Sequence, residues 1–302
     1  MLSRKNRLLL LKCLSLFSII RGYNILVIAI AQYLASIYIL SPDLPLREVA
    51  LDINLFVIIV ASALVIAAGY IINSFYDSEK DLINKPRKSM LDRLVSQRTK
   101  LSAYFVLNFL GVFLASYVSF RAVLFFSAYI FGIWLYSHKL KRIPLVGNIV
   151  SATLAITPFF AVFVYYKNFE TVIFVHAMYL FLLILVRELV KDMENMAGDL
   201  SQGYRTIPLL YGTTVSKAIA SILVLLTLLP ALLLIYYFDV GYMYLYFTGS
   251  IVFLIFFLLL LWKSHSKKHY VWLHNILKLI IVVGVFSILL IDVDLVLNRI
   301  LA

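Results

Sequence analysis

The chain has 302 residues, of which 63% are hydrophobic and 14% charged, and its mean hydropathy is +0.98. A soluble domain has roughly 45–50% apolar and about 25% charged residues, so this composition excludes an ordinary soluble protein and predicts an all-α, polytopic membrane protein. The single cysteine excludes an intrachain disulfide. The net charge of +12 is explained by basic loops near anionic lipid headgroups, so no nucleic-acid partner is expected.

The chain is predicted to begin with a basic segment and to continue as nine membrane spans. Residues 1–17 are basic and have no convincing cleavage site, which favours a cytoplasmic lead into an uncleaved first helix over a signal peptide. We expect residues 1–302 to form a single transmembrane domain. Runs of about 20 apolar residues predict spans near 18–40, 53–75, 100–119, 121–137, 145–165, 171–190, 217–238, 242–262 and 271–291.

The distribution of basic residues predicts how the bundle is oriented. With nine spans, the segments 76–99, 138–144, 191–216 and 263–270 lie on the same side as the N-terminus, and most of the 27 Lys and Arg residues fall there or in the basic lead. An excess of Lys and Arg marks the cytoplasmic side of a membrane protein. We therefore expect a protein of the cytoplasmic (inner) membrane, with its N-terminus in the cytoplasm and its C-terminus outside.

The first of two acidic segments follows the second predicted span. Asn73, Asp77 and Asp81 recur every fourth residue, so on a helix they share one face. Like charges stacked in this way repel each other unless a cation lies between them, and Mg²⁺ prefers carboxylate oxygens. The segment therefore predicts a magnesium site at the cytoplasmic end of this helix.

The second acidic segment follows the sixth predicted span and has the same character. Glu188, Asp192, Asn195 and Asp199 are spaced i, i+4, i+7 and i+11, which again places them on one helical face. The pair Asn195 and Asp199 repeats the Asn-x3-Asp spacing of the first segment at an offset of 122 residues. Coincidence between two solvated helix ends is the alternative, but two such segments on one side of the membrane favour two half-sites that face each other.

Basic residues near the acidic segments indicate the kind of ligand. Mg²⁺ usually keeps several waters and bridges to substrate phosphates. Carboxylates, Mg²⁺ and cations at the mouth of an apolar bundle predict a site for a diphosphate head whose hydrocarbon tail lies in the membrane. Lys278, inside the last span, is expected to face the bundle or to reach the interface, and it could approach such a diphosphate. The cations near the acidic segments are Lys85, Arg87, Lys88, Lys139, Lys141, Arg142, Lys191 and Arg205.

These segments resemble the UbiA superfamily of intramembrane prenyltransferases. Asn73, Asp77 and Asp81, followed by the Asn-Lys-Pro run at 84–86, are similar to the family's N-x3-D-x3-D motif and its continuation. Residues 187–199 look like the R-E-x-x-K-D-x-E-D-x-x-G-D form of the branch that makes digeranylgeranylglyceryl phosphate.

Further matches and two departures accompany this resemblance, which covers residues 15–290. Arg21 and Asn24 fit the family's R-x-x-N in the first span, and residues 136–148 fit the loop after the fourth span. Asn195 stands where that branch has aspartate, and residues 87–91 replace a commoner R-P-L run. Both departures leave the core carboxylates in place.

The resemblance implies nine helices and a Mg²⁺-dependent transfer of a polyprenyl group, such as geranylgeranyl, from its diphosphate to an acceptor. The residues implied to be catalytic and to bind metal are Asp77, Asp81, Asp192 and Asp199, with Asn73 and Asn195 as further metal or metal-water ligands. The residues implied to bind the diphosphate are Asn73, Lys139, Lys191, Arg205, Arg21, Asn24, Lys85 and Tyr136.

Three functions remain open from the sequence. A prenylglycerol phosphate acceptor follows from the second motif, whereas an aromatic quinone precursor is the alternative acceptor. An ion-coupled transporter is the alternative of another class, because internal repeats and membrane carboxylates also occur in carriers. The position of the carboxylates at the cytoplasmic end, beside basic residues, argues against a transporter.

Overall fold

The computed structural model describes residues 4–293 of the protein. Within this range the regular structure is helical, without strands, which confirms the predicted all-α class. The α-helices are α1 (Arg4–Ile20), α2 (Gly22–Ala35), α3 (Leu46–Ala50), α4 (Ile53–Tyr76), α5 (Ser78–Asn84), α6 (Pro86–Asp92), α7 (Gln97–Val118), α8 (Phe120–His138), α9 (Val146–Tyr166), α10 (Thr171–Ser201), α11 (Ile207–Tyr236), α12 (Tyr244–Lys263) and α13 (Lys267–Ser287).

Between residues 4 and 293, nine helical segments are long and apolar enough to cross a membrane, as predicted. The sixth and seventh extend beyond their predicted bounds, because a helix can continue past the apolar core and charged residues at its end do not terminate it. The nine segments are Gly22–Leu40, Ile53–Tyr76, Gln97–Val118, Phe120–His138, Val146–Tyr166, Thr171–Ser201, Ile207–Tyr236, Gly241–Lys263 and Lys267–Leu290.

Single residues at two junctions explain where neighbouring helices begin and end. Ser119 adopts an extended conformation, and its side chain accepts a hydrogen bond from the backbone N–H of Ala122, which caps α8. Arg21 has φ 51° and ψ 54°, a left-handed conformation that separates α1 from α2. From Arg4 onward the basic lead is helical, and α1 packs against α4 and α6.

The two helices that carry the acidic segments are the most buried spans. Inside the protein, 61% of the apolar window of α4 and 50% of that of α10 are buried, compared with 33% or less for the others. α4 packs mainly against α7 and α8, whereas α10 packs against α9, α11 and α13. α5, which directly follows α4, also contacts α10. The fold thus brings the two acidic segments together.

Candidate active site

Asn84 joins the two acidic segments directly. It is the last residue of α5, and its Oδ1 accepts a hydrogen bond from the backbone N–H of Gly198 at 3.1 Å. Its Nδ2 donates to the carbonyl oxygen of Asn195 at 3.2 Å. A Cβ on Gly198 would collide with the Asn84 amide and would lie 2.8 Å from the carbonyl oxygen of Lys80. The approach of α5 to α10 therefore requires glycine at position 198.

An ion pair also crosses between the segments. Lys80 Nζ, from the first segment, lies 2.6 Å from Oδ1 of Asp199, from the second, and both side chains are largely buried. Burial alone would lower the pKa of Lys80, but the nearby carboxylates of Asp77 and Asp199 more than offset that effect and raise it. Lys80 is therefore a fixed positive charge between two aspartates.

Asp77 is held by a second lysine and a tyrosine. Lys141 Nζ lies 2.7 Å from its Oδ1 and also donates to Oδ1 of Asn73 at 3.2 Å, while the hydroxyl of Tyr204 donates to the same Asp77 oxygen at 3.1 Å. Burial opposes ionisation of Asp77, yet the charges of Lys141 and Lys80 and these hydrogen bonds hold its pKa below the ordinary value. Asp77 is thus ionised at neutral pH.

The ring of Tyr204 gathers cations on this side of the site. Its centroid lies 4.6 Å from Lys80 Nζ, 6.0 Å from Lys141 Nζ and 5.2 Å from the Arg142 guanidinium carbon. Such distances permit cation–π attraction. Burial, followed by the negative charge of Asp77, raises the pKa of Tyr204, so its hydroxyl keeps the proton that it donates. The result is a compact group of three cations around one aromatic ring.

A small polar cavity, open to solvent, lies beside these pairs. Asp192 lines it and accepts a hydrogen bond from Asn148 Nδ2 at 2.7 Å. Glu188 also lines it, but its carboxylate is already occupied: it pairs with Lys191 and with Arg187 (2.9 Å), and it accepts from Ser151 (3.0 Å). The cavity is lined by Tyr136, Lys141, Ile143, Gly147, Asn148, Glu188, Asp192 and Thr206.

Some residues predicted for this site lie elsewhere. Asp81 lines a second polar cleft with Ser74, Ser78, Ser89, Asp92, Arg93 and Lys100. The chain turns at Asp77 (φ −92°, ψ 7°), between α4 and α5. Asp81 lines this second cleft, whereas Asp77 is held by Lys141 and Tyr204, although the sequence spacing predicted one shared face. Lys139 and Arg205 are exposed. The lysine that contacts Asp77 is Lys141 and not Lys139.

Three further residues that were predicted to bind the diphosphate lie in a separate group: Arg21, Asn24 and Lys85. The guanidinium carbon of Arg21 lies 5.1 Å from the centroid of the Tyr70 ring, and Asn24 Nδ2 donates to the Tyr70 hydroxyl at 3.2 Å. Lys85 lies near Arg21 and Glu194. Lys191, by contrast, is held within the main site by Glu188.

The oxygen donors of the site bear on whether it can hold a metal ion. In the range 4–293, no three His, Cys, Asp or Glu side chains are arranged to hold an ion by themselves. Asn195 is buried, and its side-chain oxygen is among the buried polar atoms without a hydrogen-bond partner. A buried amide oxygen without a partner, on the same helix as Asp192 and Asp199, fits a hard cation such as Mg²⁺ whose remaining ligands come from water and substrate.

Four residues of the site were not among the predicted site residues: Lys80, Asn84, Asn148 and Tyr204. Lys80 lies inside the first acidic segment, and Asn84 lies in the Asn-Lys-Pro run that follows it. Asn148 lies in the loop matched to the family, and Tyr204 follows shortly after Asp199. The sequence offered one signal for them: each is a polar or charged residue in or near a segment that carries the predicted site. Their partners, however, come from other helices and depend on the fold.

Comparison with known proteins identifies the family. The UbiA prenyltransferase family matches residues 24–289, most of the chain. The chain therefore belongs to the UbiA prenyltransferase family. As a member of this family it is an integral-membrane prenyltransferase, as the motifs predicted.

Relatives within the UbiA family point to one branch. Digeranylgeranylglyceryl phosphate synthase of Methanobrevibacter smithii is 28% identical over 249 residues, which cover 78% of this chain and 83% of the relative. A solved structure described as digeranylgeranylglyceryl phosphate synthase superposes with a TM-score of 0.69 at 23% identity, covering 92% of this chain and 97% of that one.

A second solved structure, a UbiA homologue from Archaeoglobus fulgidus bound to GPP and Mg²⁺, superposes with a TM-score of 0.67 at 13% identity and covers 91% of this chain and 99% of that one. At these identities the two solved structures establish the shared fold.

Proposed function

We propose that the chain transfers a polyprenyl group, geranylgeranyl as the first candidate, from its diphosphate to a prenylglycerol phosphate in a Mg²⁺-dependent reaction. The contact between the two acidic segments carries this proposal: Lys80 of the first pairs with Asp199 of the second. The named synthase among the UbiA relatives supports the choice of acceptor.

The lysines at this site provide the electrostatic part of the mechanism. Lys80 lies between Asp77 and Asp199, and Lys141 pairs with Asp77, so a diphosphate bridged to these carboxylates would meet both cations. As the allylic C–O bond breaks, the electron pair leaves with the diphosphate, and fixed cations stabilise the charge that builds there. Attack by the acceptor hydroxyl on the allylic carbon then forms the ether bond, and the hydroxyl proton passes to the released diphosphate or to water.

The residues that would hold Mg²⁺ are Asp77, Asp192, Asp199 and Asn195, with Asn73 beside them. Bound Mg²⁺ would neutralise charge on the departing diphosphate. Asp81 faces the second cleft and is the weakest member of the proposed set. Glu188 is saturated by its own partners, so we assign it to holding Lys191. Glu188 and Tyr136 both line the cavity beside the leaving group.

We further propose that residues 1–302 form one domain in the cytoplasmic membrane, with the N-terminus and this site on the cytoplasmic side. The basic loops support this orientation. Cysteine accessibility in sealed vesicles tests it: a cysteine introduced at exposed Lys139 should react only with reagent supplied on the cytoplasmic side.

The function is tested with purified protein, radiolabelled geranylgeranyl diphosphate and Mg²⁺. Label should pass to a prenylglycerol phosphate, and Asp77→Ala and Asp199→Ala should each lower the rate at least about 100-fold because each removes a charge that holds the metal-diphosphate head. Asp43→Ala, at an exposed position, is the control and should retain full activity. Removal of Mg²⁺ by EDTA should abolish transfer, and added Mg²⁺ should restore it.

Other outcomes distinguish the alternatives. Transfer to a hydroxybenzoate-type ring, with none to the glycerol phosphate, would identify an aromatic acceptor. Full activity in both aspartate variants would refute the assignment of the site. Ion-coupled uptake into vesicles without any prenyl transfer would support a transporter.

A further inference from the structure

A second group of basic side chains lies around Tyr23, near the start of α2. Lys278 Nζ, from α13, lies 4.2 Å from the centroid of the Tyr23 ring on α2. Arg21 and Lys88 act electrostatically on the same tyrosine, and Lys85 lies near Arg21. We call Arg21, Lys85, Lys88 and Lys278 the basic cluster. All four are partly buried.

The basic cluster differs from the lysines of the active site in having no close counter-ion. Lys80, Lys141 and Lys191 each pair with a carboxylate. No carboxylate in the described part of the chain lies within salt-bridge distance of a cluster residue, although Asp81, Asp92 and Glu194 act on the cluster at longer range. Burial, and then the charge of Arg21, lower the pKa of Lys88.

Two features indicate that this arrangement is maintained for a ligand. Arg21 adopts φ 51°, a left-handed conformation that is unfavourable for a non-glycine residue. Lys278 lies inside a membrane-spanning helix, where a charged residue is costly unless it faces a partner. Four mutually repelling cations are stabilised when an anion binds between them.

The position of the basic cluster indicates the class of that anion. Arg21, Lys85 and Lys88 lie outside the spans, whereas Lys278 lies inside one, about 16 Å along α13 from its first residue at 1.5 Å per residue. The cluster therefore lies at the boundary of the membrane, where the headgroup of a lipid would be. Lys85 directly follows Asn84, which contacts α10 at the active site. A lipid held by its phosphate at the cluster would therefore lie next to the diphosphate site.

We propose that the basic cluster binds the phosphate monoester of the lipid acceptor and so holds its glycerol hydroxyl beside the donor. This inference rests on the proposed function. It removes Arg21 and Lys85 from the diphosphate-binding set and gives Lys278 a role. Two lipid sources share the same phosphate chemistry: the acceptor itself and an anionic membrane lipid. The acceptor is favoured because the cluster adjoins the reacting site.

The test compares a phosphorylated acceptor with its unphosphorylated counterpart. Wild-type protein, Lys278→Gln and Lys278→Arg are supplied with saturating geranylgeranyl diphosphate and either prenylglycerol phosphate or prenylglycerol. Lys268→Gln is the matched control, because Lys268 is exposed on the same helix. Wild-type protein should prefer the phosphorylated acceptor.

Lys278→Gln should reduce that preference roughly tenfold or more, through a higher KM for the phosphorylated acceptor, since it removes one charge-assisted contact to phosphate. The KM for the donor should change less than about twofold. Lys278→Arg should retain most of the preference, and Lys268→Gln all of it. If Lys278→Gln does not fold, as judged by thermal melting in detergent, the same acceptor comparison is made with Lys88→Gln, because Lys88 lies outside the membrane spans.

Contrary results separate the inference from the function on which it rests. An unchanged acceptor preference in Lys278→Gln and Lys88→Gln overturns the inference and leaves the transferase proposal standing. A change confined to thermal stability in vesicles with anionic lipid also overturns it, in favour of a structural lipid. Wild-type protein that uses neither acceptor overturns the proposed function, and the inference with it.

Discussion

Replacing Gly198 by alanine tests the contact that brings the two acidic segments together. The added Cβ would meet the side-chain amide of Asn84 and the carbonyl oxygen of Lys80, the latter at 2.8 Å. To make room, α5 would have to move away from α10, and the two hydrogen bonds between Asn84 and α10 would lengthen or break. Because α5 also carries Lys80, the ion pair with Asp199 would be displaced.

The size of the effect follows from these contacts. Two hydrogen bonds contribute about 1 kcal/mol each, and overpacking a close contact costs about 1–3 kcal/mol. Alanine is favoured over glycine inside a helix by about 1 kcal/mol. We therefore expect Gly198→Ala to lower the free energy of unfolding by about 2–4 kcal/mol and to reduce prenyl transfer at least tenfold, since a small displacement of catalytic groups has large effects.

Denaturant unfolding in detergent micelles and prenyl transfer assays measure the two effects. Gly249→Ala is the control, because a Cβ at this helical position meets nothing within 4 Å, so stability should be unchanged or slightly higher. In an Asn84→Ala background, Gly198→Ala should cost less than half as much, since only the contact with the Lys80 carbonyl oxygen remains. A Gly198→Ala protein with wild-type stability and activity would refute the proposed docking of α5 on α10.

Three further predictions concern single side chains. Lys141→Met should slow prenyl transfer by about 10–100-fold, whereas Lys139→Met, at an exposed position, should not. The pKa of Asp77 in the folded protein is lowered, so ionised Asp77 stabilises the fold above about pH 4. This stabilisation is lost as the pH falls through the pKa of Asp77 in the folded protein. In Asp77→Asn, the free energy of unfolding should therefore fall less steeply as the pH is lowered in this acid range. Asp52→Ala should cost about 2 kcal/mol in unfolding free energy, because it removes the N-cap of α4 and the Tyr165 hydrogen bond.

The spans were predictable because hydropathy and length report directly on what crosses a membrane. Even the short break between the third and fourth spans was located correctly, and the structure explains it by the capping role of Ser119. The errors concern α10 and α11, which extend past the predicted 190 and begin before the predicted 217. A run of apolar residues ends at the first charged residues, whereas the helix itself continues through those charged residues.

The site was predictable to the extent that it depends on helical spacing. Asp192 and Asp199 lie on one unbroken helix, as their spacing required. Asp81 departs from its predicted position because a turn at Asp77 intervenes, and no sequence period reports such a turn. The choice of Lys141 over Lys139 depends on the 3₁₀ turn at Leu140–Arg142, which directs one lysine inward and leaves the other exposed.

The most direct test of the account is a double-mutant cycle between the two acidic segments. The kcat/KM for prenyl transfer is measured for Asp77→Asn, Asp199→Asn and the double variant. If the two aspartates hold one metal-diphosphate head, each single variant should lose at least about 100-fold, and the double variant should fall by no more than about tenfold further, as for residues that act as a unit. Losses that multiply, to about 10⁴-fold in the double variant, would contradict a single shared site.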